Sequence, residues 1–251
     1  MELKQFFEEN PRAALAFSGG ADSAYLLYAG LSLGADIKPY CVSSGFQPEF
    51  ELRDARRLAR ELGAKLEIIE LDVLASAEIR RNAADRCYHC KRLIMSAIRA
   101  AAARDGYALL LDGTNASDEA GDRPGMRAIA ELDVRSPLRE CGLDKAEIRE
   151  LSGRAGLFTW DKPAYACLAT RIKTGEEISA AKLARVEKSE EALFALGFSD
   201  FRVRLSGEAA LLQFTPGQLA AALARRDEIE GLLRPFFETI DFDPEGRAKS
   251  L

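Results

Sequence analysis

Ala13-Ala14-Leu15-Ala16-Phe17 is an apolar run that passes directly into Ser18-Gly19-Gly20-Ala21-Asp22-Ser23, after which Ala24, Leu26, Leu27 and Leu31 recur with helical spacing. An apolar run that ends in small and hydroxylated residues and then enters a helical pattern predicts strand, loop and helix in succession. Adjacent glycines let the backbone turn tightly and bring its N–H groups close to an anion. The helix start adds unpartnered N–H groups and the positive end of a dipole, so the loop favours phosphate or pyrophosphate. Ser18 and Ser23 can donate to phosphate oxygens, and Asp22 can hold Mg2+ or orient the loop. The Walker A pattern G-x-x-x-x-G-K-S/T is absent. An isolated Gly-Gly pair is more often a plain turn with an N-cap, but here strand, loop and helix agree on a phosphate site.

Ile37 to Val42 reads as a second strand ending at Ser43-Ser44-Gly45. A helix from about Pro48 to Leu62 stops at Gly63, and Leu66 to Leu71 is a third strand. Cys90 to Ala103 has a helical pattern, and Ala108 to Leu111 is a short apolar strand ending at Asp112-Gly113-Thr114. Strands alternating with helices predict an α/β fold, a parallel sheet covered on both faces, with ligands beyond the carboxyl ends of the strands. The small polar ends Ser18-Gly19-Gly20, Ser43-Ser44 and Asp112-Gly113-Thr114 are therefore expected to converge on a nucleotide, so Ser43, Gly113 and Thr114 join the loop as candidate binding residues. Leu157 to Gly175 shows little periodicity, and long loops in compact domains are usually functional. Ser179 to Leu196 is then a helix with a capping serine and a Gly197 stop. Phe201 to Leu205 and Ala209 to Phe214 read as a hairpin around Ser206-Gly207, followed by a helix from about Pro216 to Arg226 and a strand near Phe236 to Phe242. The expected division is a nucleotide domain over 1–174 and a smaller C-terminal α+β domain over 175–251.

The 251 residues are enough for one large domain or one domain with a smaller appendage, and 47% hydrophobic with 30% charged residues fits a soluble globular protein. Met1-Glu2-Leu3-Lys4-Gln5 leads into an acidic amphipathic segment rather than a signal sequence, and no apolar run reaches the ~18 residues of a membrane helix. The expectation is a cytoplasmic protein without a membrane partner. A net charge of −5, from 35 basic and 40 acidic residues, argues against a broad nucleic-acid surface. Five cysteines without an export signal do not suggest a disulfide framework and point to thiol, metal or cluster chemistry. A Ser/His/Asp hydrolase would have to use the lone His89, which no nucleophile elbow accompanies. Cys87-Tyr88-His89-Cys90 by itself fits zinc, a cluster, a redox pair or two incidental cysteines; zinc would need two more ligands, and no second C-x-x-C exists. Cys167 lies in the aperiodic loop, where a doubly wound domain places residues over its site, while Cys41 in a strand and Cys141 in a polar turn read as a core residue and an incidental thiol.

The Ser18–Ser23 pattern resembles the PP-loop of ATP pyrophosphatases, which cleave ATP between its α- and β-phosphates. Together with Arg123-Pro124-Gly125-Met126-Arg127, the stretch from Lys162 to Arg171 and Phe201-Arg202-Val203-Arg204, it makes the chain resemble the LarE family, the PP-loop sulfur transferases that supply sulfur to the nickel-pincer nucleotide cofactor. The match covers nearly the whole chain in order: PP-loop, Asp112-Gly113 to Asp118-Glu119, Asp122 to Gly125, Trp160-Asp161-Lys162 to Arg171, and the Arg-x-Arg strand. The last three are more specific than the PP-loop alone.

The resemblance implies an ATP-dependent enzyme that adenylates pyridinium-3,5-biscarboxylate mononucleotide, releases pyrophosphate and AMP, and forms a thiocarboxylate in each of two rounds. One kind of LarE gives up the sulfur of a single cysteine at the position of Cys167; the other adds a cysteine pair, and three thiolates hold a [4Fe-4S] cluster. With Cys87, Cys90 and Cys167 the chain resembles the cluster kind, and three thiolates leave one iron open for a transferable sulfide. Asp22, Lys91 and Cys167 are then the expected catalytic residues, and Lys91 and Arg123 are candidates to neutralise substrate or triphosphate charge, with plain surface solvation as the alternative. Arg202 and Arg204 share one face of a strand. A solvated edge is the plainer reading, whereas the resemblance implies phosphate binding between protomers of a homo-oligomer, a hexamer. Glu190 matches a nearby acidic position of the family. Gln213 stands where a metal-binding glutamate is expected, so a second metal site is not carried over. The implied cofactors are ATP, Mg2+ and the cluster, the implied partner is a small-molecule nucleotide, and the sulfur source is not indicated. A tRNA thiolase, which also joins a PP-loop to cysteines, is disfavoured by the acidic charge. An ammonia-using synthetase has no need of three clustered cysteines, and a non-catalytic metal- or cluster-binding regulator with a retained nucleotide pocket would release no pyrophosphate.

Overall fold

The computed structural model describes residues 2–118 and 124–247. They form two compact units, Met1–Val73 with Asp85–Lys162, and Leu74–Ala84 with Pro163–Leu251. Thr174 lies inside the second unit, and the segment Leu74–Ala84 joins it from a distant part of the chain.

The first unit contains α1 (Leu3–Glu9), β1 (Arg12–Ala16), α2 (Ala21–Ser32), β2 (Asp36–Ser43), α3 (Glu49–Glu61) and β3 (Glu67–Glu70). After α4 (Ala77–Arg80), which belongs to the second unit, it continues with α5 (Arg86–Arg104), β4 (Leu110–Leu111), α6 (Pro124–Glu131), α7 (Pro137–Glu140) and α8 (Lys145–Arg154). The four strands pair in the order β3-β2-β1-β4, all parallel, with Leu15 opposite Pro39 and Leu111 and with Val42 opposite Ile69. Side chains alternate across a strand, and β1 shows what that does to a sheet with both faces covered. Ala13 and Leu15 pack with Leu27 of α2, Leu58 of α3 and Ile148 of α8. Ala14 packs on the other face with Met95 and Ile98 of α5 and Ile129 of α6. The expected α/β architecture is present, and Cys41 is a core residue whose thiol is pushed up to about 11 by burial.

The second unit adds α9 (Ala180–Ala195), β5 (Phe201–Ser206), β6 (Ala209–Phe214), α10 (Pro216–Ala224), α11 (Arg226–Leu233) and β7 (Thr239–Phe242). The hairpin is antiparallel, and β7 adds to β6 in parallel, giving a small mixed sheet. Ser179 caps α9 by accepting from the Lys182 N–H at 3.3 Å. Its core holds Phe201 and Phe214 with ring centroids 5.7 Å apart, and Phe198 4.9 Å from Phe214. Among the described residues no helix is long and apolar enough to cross a membrane.

Candidate active site

In the first unit, the loop between β1 and α2 turns at Gly19, whose φ of +75° is the left-handed region that glycine enters without strain. Gly20 caps α2 in extended conformation with no side-chain cap, so the first-turn N–H groups are left to water or a ligand. The hydroxyls of Ser18 and Ser23 stand 3.2 Å apart, Ser18 Oγ accepts from the Gly20 N–H at 3.3 Å, and Ser23 Oγ lies 3.2 Å from the Gly20 carbonyl. The end of β4 closes on this loop: a Cβ at Gly113 would stand 2.9 Å from the Ser23 backbone nitrogen. That loop is held from behind by the buried Asp112 carboxylate, which accepts from Ser136 Oγ at 2.7 Å and from Thr114 Oγ1 at 2.7 Å. Thr114 is therefore spent on shaping its own loop, and Ser43 closes β2 at the neighbouring strand end.

Asp22, in the first turn of α2, has a buried Oδ1 with no hydrogen-bond partner among the described residues. Burial raises its pKa, with Asp118 pushing the same way and Lys145, Asn115 and Arg149 pulling against them. An orphaned carboxylate oxygen beside uncapped N–H groups suits a cation or a ligand donor, and Asp22 is the residue that would hold Mg2+ here. Arg149 of α8 also donates to the carbonyls of Trp160 at 3.2 Å and Lys162 at 2.9 Å. Lys162 Nζ in turn donates to Asp54 Oδ2 at 2.7 Å, one residue from Ala55, which abuts Gly19. The Trp160-Asp161-Lys162 motif is thus tethered to the helices that flank the loop.

Cys87 and Cys90 lie in the first two turns of α5, three residues apart and so on one helix face. Cys87 is exposed and Cys90 half-buried, and all five cysteines are thiols. His89 lies against Asp85, 3.1 Å from Nε2 to Oδ2, as a neighbour of the pair. Lys91 follows on α5, half-exposed, with no ion-pair partner among the described residues. Cys167 belongs to the second unit, at the N-cap of a 3-10 turn, Leu168–Arg171. Within each unit the described residues bring no three His, Cys, Asp or Glu side chains into one metal-holding group, and the three expected cysteines are divided between the units. Three soft thiol donors, none in a disulfide, suit an iron–sulfur cluster by their chemistry.

Arg202 and Arg204 are not a solvated edge. Arg202 is 6% exposed, and its guanidinium donates to the carbonyls of Phe201 at 2.7 Å and Ala164 at 2.6 Å. Burial pulls its pKa down to about 10 and lowers that of Arg204 as well. Arg204 donates to Gln213 Oε1 at 2.9 Å, and Gln213 donates to Asp243 at 2.8 Å, so the amide serves this network. Glu190 is buried in an ion pair with Arg171. Arg123 and the expected Glu119 and Asp122 motif positions lie outside the described residues.

No protein-family model matches the chain. It is 38% identical over 220 residues to an uncharacterized protein of Synechocystis, covering 86% of this chain and 81% of the relative. It is 32% identical over 225 residues to the pyridinium-3,5-bisthiocarboxylic acid mononucleotide synthase of Lactiplantibacillus plantarum, covering 89% of this chain and 82% of the synthase. The chain belongs to the LarE family. An uncharacterized protein of Methanocaldococcus jannaschii is 28% identical over 229 residues. Against the motifs that mark this LarE chain in its sequence, the structure adds Lys145 and Arg149 of α8 around Asp22. The signal for that helix is the capping box Asp144 to Glu147, in which each side chain accepts from the other residue's N–H.

Proposed function

We propose that this LarE protein is an ATP-dependent sulfur transferase that converts pyridinium-3,5-biscarboxylate mononucleotide to the thiocarboxylate. A carboxylate oxygen of the substrate attacks the α-phosphorus of ATP, the bond to the bridging oxygen breaks, and pyrophosphate leaves. The uncapped N–H groups at the start of α2 face the departing charge, and Asp22 would hold Mg2+, which would supply further positive charge there. Lys91 and Arg123 neutralise substrate or triphosphate charge. Sulfur then replaces AMP at the acyl carbon, and AMP departs with the electron pair of the broken C–O bond. Cys87, Cys90 and Cys167 would hold a [4Fe-4S] cluster, which supplies an open iron for a transferable sulfide. The observation that carries the reading is the closure of Gly113 onto the N-terminus of α2, where β1 and β4 end together beside the orphaned Asp22 oxygen. The name of the Lactiplantibacillus relative supports the product class.

The test is pyrophosphate and AMP release by anaerobically prepared protein with that mononucleotide and ATP. Substrate-dependent release is expected from the wild type and not from Asp22→Asn. Because burial raises the Asp22 pKa, its ionised form is disfavoured in the fold, so the neutral amide keeps or raises the melting temperature while turnover is lost. Substrate-independent release, or full turnover in Asp22→Asn, sinks the assignment. The same preparation should contain about four irons and lose them on Cys87→Ser, Cys90→Ser or Cys167→Ser. Iron-free protein that turns over once and leaves dehydroalanine at Cys167 overturns the cluster in favour of a sacrificial cysteine.

A further inference from the structure

The segment that carries Cys167 is held by side chains rather than by a sheet. Its regular structure is the 3-10 turn Leu168–Arg171, and its carbonyls are taken up one after another by arginines of the same unit. Arg202 Nη2 donates to the Ala164 carbonyl at 2.6 Å, Arg171 Nη1 to the Ala166 carbonyl at 2.7 Å, and Arg204 to the Thr170 carbonyl. The Cys167 carbonyl accepts from Thr170 Oγ1 at 2.8 Å and from the Thr170 N–H at 3.0 Å. Arg171 Nη1 donates to Thr170 Oγ1 at 2.9 Å and reaches the Cys167 carbonyl itself only at 3.5 Å, so one guanidinium arm brackets Cys167 from both sides and its short link to that carbonyl runs through the hydroxyl.

Arg171 is itself fixed. It is the largest fully buried side chain among the described residues, and its Nε and Nη2 donate to Glu190 at 2.8 and 3.1 Å. The Glu190 carboxylate also accepts from the Val203 N–H at 2.9 Å and from the Tyr165 hydroxyl. The Tyr165 ring lies under the guanidinium groups of both Arg171, at 4.3 Å, and Arg202, at 5.2 Å. A buried ion pair gives up hydration that its attraction only partly returns, so an apolar pair of the same size would serve stability as well. Apolar side chains could not satisfy the carbonyls on either side of Cys167, and a planar fork bound at two points to a carboxylate sets direction as well as distance.

We propose that Arg171 and Glu190, acting through Thr170, are positioning residues that hold the backbone of Cys167 in a single conformation and so fix the direction of its thiol. The proposal rests on the reading that Cys167 takes part in sulfur transfer. Two variants test it in the full-length, reduced, cluster-free protein. Thr170→Val removes only the hydroxyl between Arg171 and the Cys167 carbonyl, and Arg171→Lys keeps the charge but loses the fork. The first readout is alkylation of Cys167 by iodoacetamide, by peptide mass spectrometry, relative to Cys87 in the same molecule. Local release of the turn should raise that ratio by about threefold or more in either variant. The second readout, after anaerobic reconstitution, is thiocarboxylate formed per pyrophosphate released. A misdirected thiol should lower it by about tenfold while pyrophosphate release itself is unchanged. If Arg171→Lys does not fold, Thr170→Val decides. An unchanged alkylation ratio in Thr170→Val, or thiocarboxylate and pyrophosphate falling together, overturns the proposal. Cys167→Ser separates the two levels. Undiminished thiocarboxylate formation there overturns the underlying reading, whereas its loss there, with an unchanged ratio in Thr170→Val, overturns the positioning role alone.

Discussion

A Cβ at Gly19 would stand 3.0 Å from the Ala55 Cβ and 3.1 Å from the Ala55 backbone nitrogen, on α3. Glycine here therefore does two jobs, since φ is also +75°. Gly34 shares the positive φ, at +82°, but has open space around its Cβ position. The comparison isolates packing from backbone strain. Gly34→Ala should cost about 1 kcal/mol, the strain of a left-handed alanine. Gly19→Ala should cost about 3 kcal/mol, because α3 must also shift. Urea unfolding of both variants measures the difference, and equal costs would remove the packing argument. The glycine pair in the sequence points to close approach of a phosphate, and it does not reveal that a helix backbone already occupies one side of Gly19. Likewise, Ser23 and Thr114 are legible as hydroxyls beside a phosphate loop, but the bonds of Ser23 to the Gly20 carbonyl and of Thr114 to Asp112 appear only when the chain is folded. Asp22 is legible from its place in the motif. Its burial, and the Lys145 and Asn115 side chains that favour its charged form against that burial, come from parts of the chain that no local pattern connects to it.

At the scale of elements, the sequence pattern marks helices best where apolar residues recur. Helix α5 begins at Arg86, earlier than the apolar spacing from Cys90 suggests, because Arg86 to His89 contribute no aliphatic residue to the stripe. Both cysteines of the pair are consequently helical. The far end of α5 is tied to the sheet by charge. Its C-cap Asp105 accepts from Lys38 Nζ and from the Tyr40 hydroxyl at 2.5 Å, both on β2, while Lys38 also donates to Glu67 of β3 at 2.7 Å. The Lys38 bond, and then that of Tyr40, hold the Asp105 carboxyl down at about 2, against an ordinary value of 3.8. A carboxyl depressed in the fold contributes stability that is fully present above its unfolded value and is lost as pH falls through its folded value. Asp105→Asn should therefore be less stable than the wild type at pH 6, and the difference should shrink between about pH 4 and pH 2. Paired thermal melts across that range check it, and a gap that stays constant to pH 2 would show that Asp105 acts by shape instead of charge. None of this network is readable from sequence, since Lys38, Glu67 and Asp105 meet only through the parallel register of β2 with β3 and the return of α5.

At the scale of the molecule, the alternation of strands and helices is enough to place the α/β sheet and the later hairpin, because each element advertises its own period. The division of the chain is a different kind of fact. Composition changes near Thr174, yet the compact units separate at Lys162 and Pro163, and Leu74–Ala84 belongs with the later residues. What holds that excursion is largely one buried side chain. Asn82, at a φ of +56° that asparagine tolerates better than most residues, donates from Nδ2 to the carbonyls of Lys173 at 2.9 Å and Glu176 at 3.1 Å. Its own carbonyl accepts from the Gly175 N–H at 2.8 Å, and the Ile178 N–H reaches the Arg80 carbonyl at 2.9 Å. Arg80 adds an ion pair to Glu177 at 3.3 Å. These partners are about ninety residues apart in sequence, as the separation of Asn82 and Ile172 shows, and no periodicity reports a contact across that distance. Asn82→Asp preserves the shape and the left-handed backbone but replaces a donor with a carboxylate facing carbonyls. It should destabilise the attachment of this segment by about 3 kcal/mol. The excursion should then open before the rest of the protein, and trypsin should cut after Arg80 and Arg81 at least about tenfold faster than in the wild type. Cleavage within α3, after Arg56 or Arg57, should not accelerate. If cutting instead rises uniformly along the chain, Asn82 supports the global fold and the excursion has no separate latch.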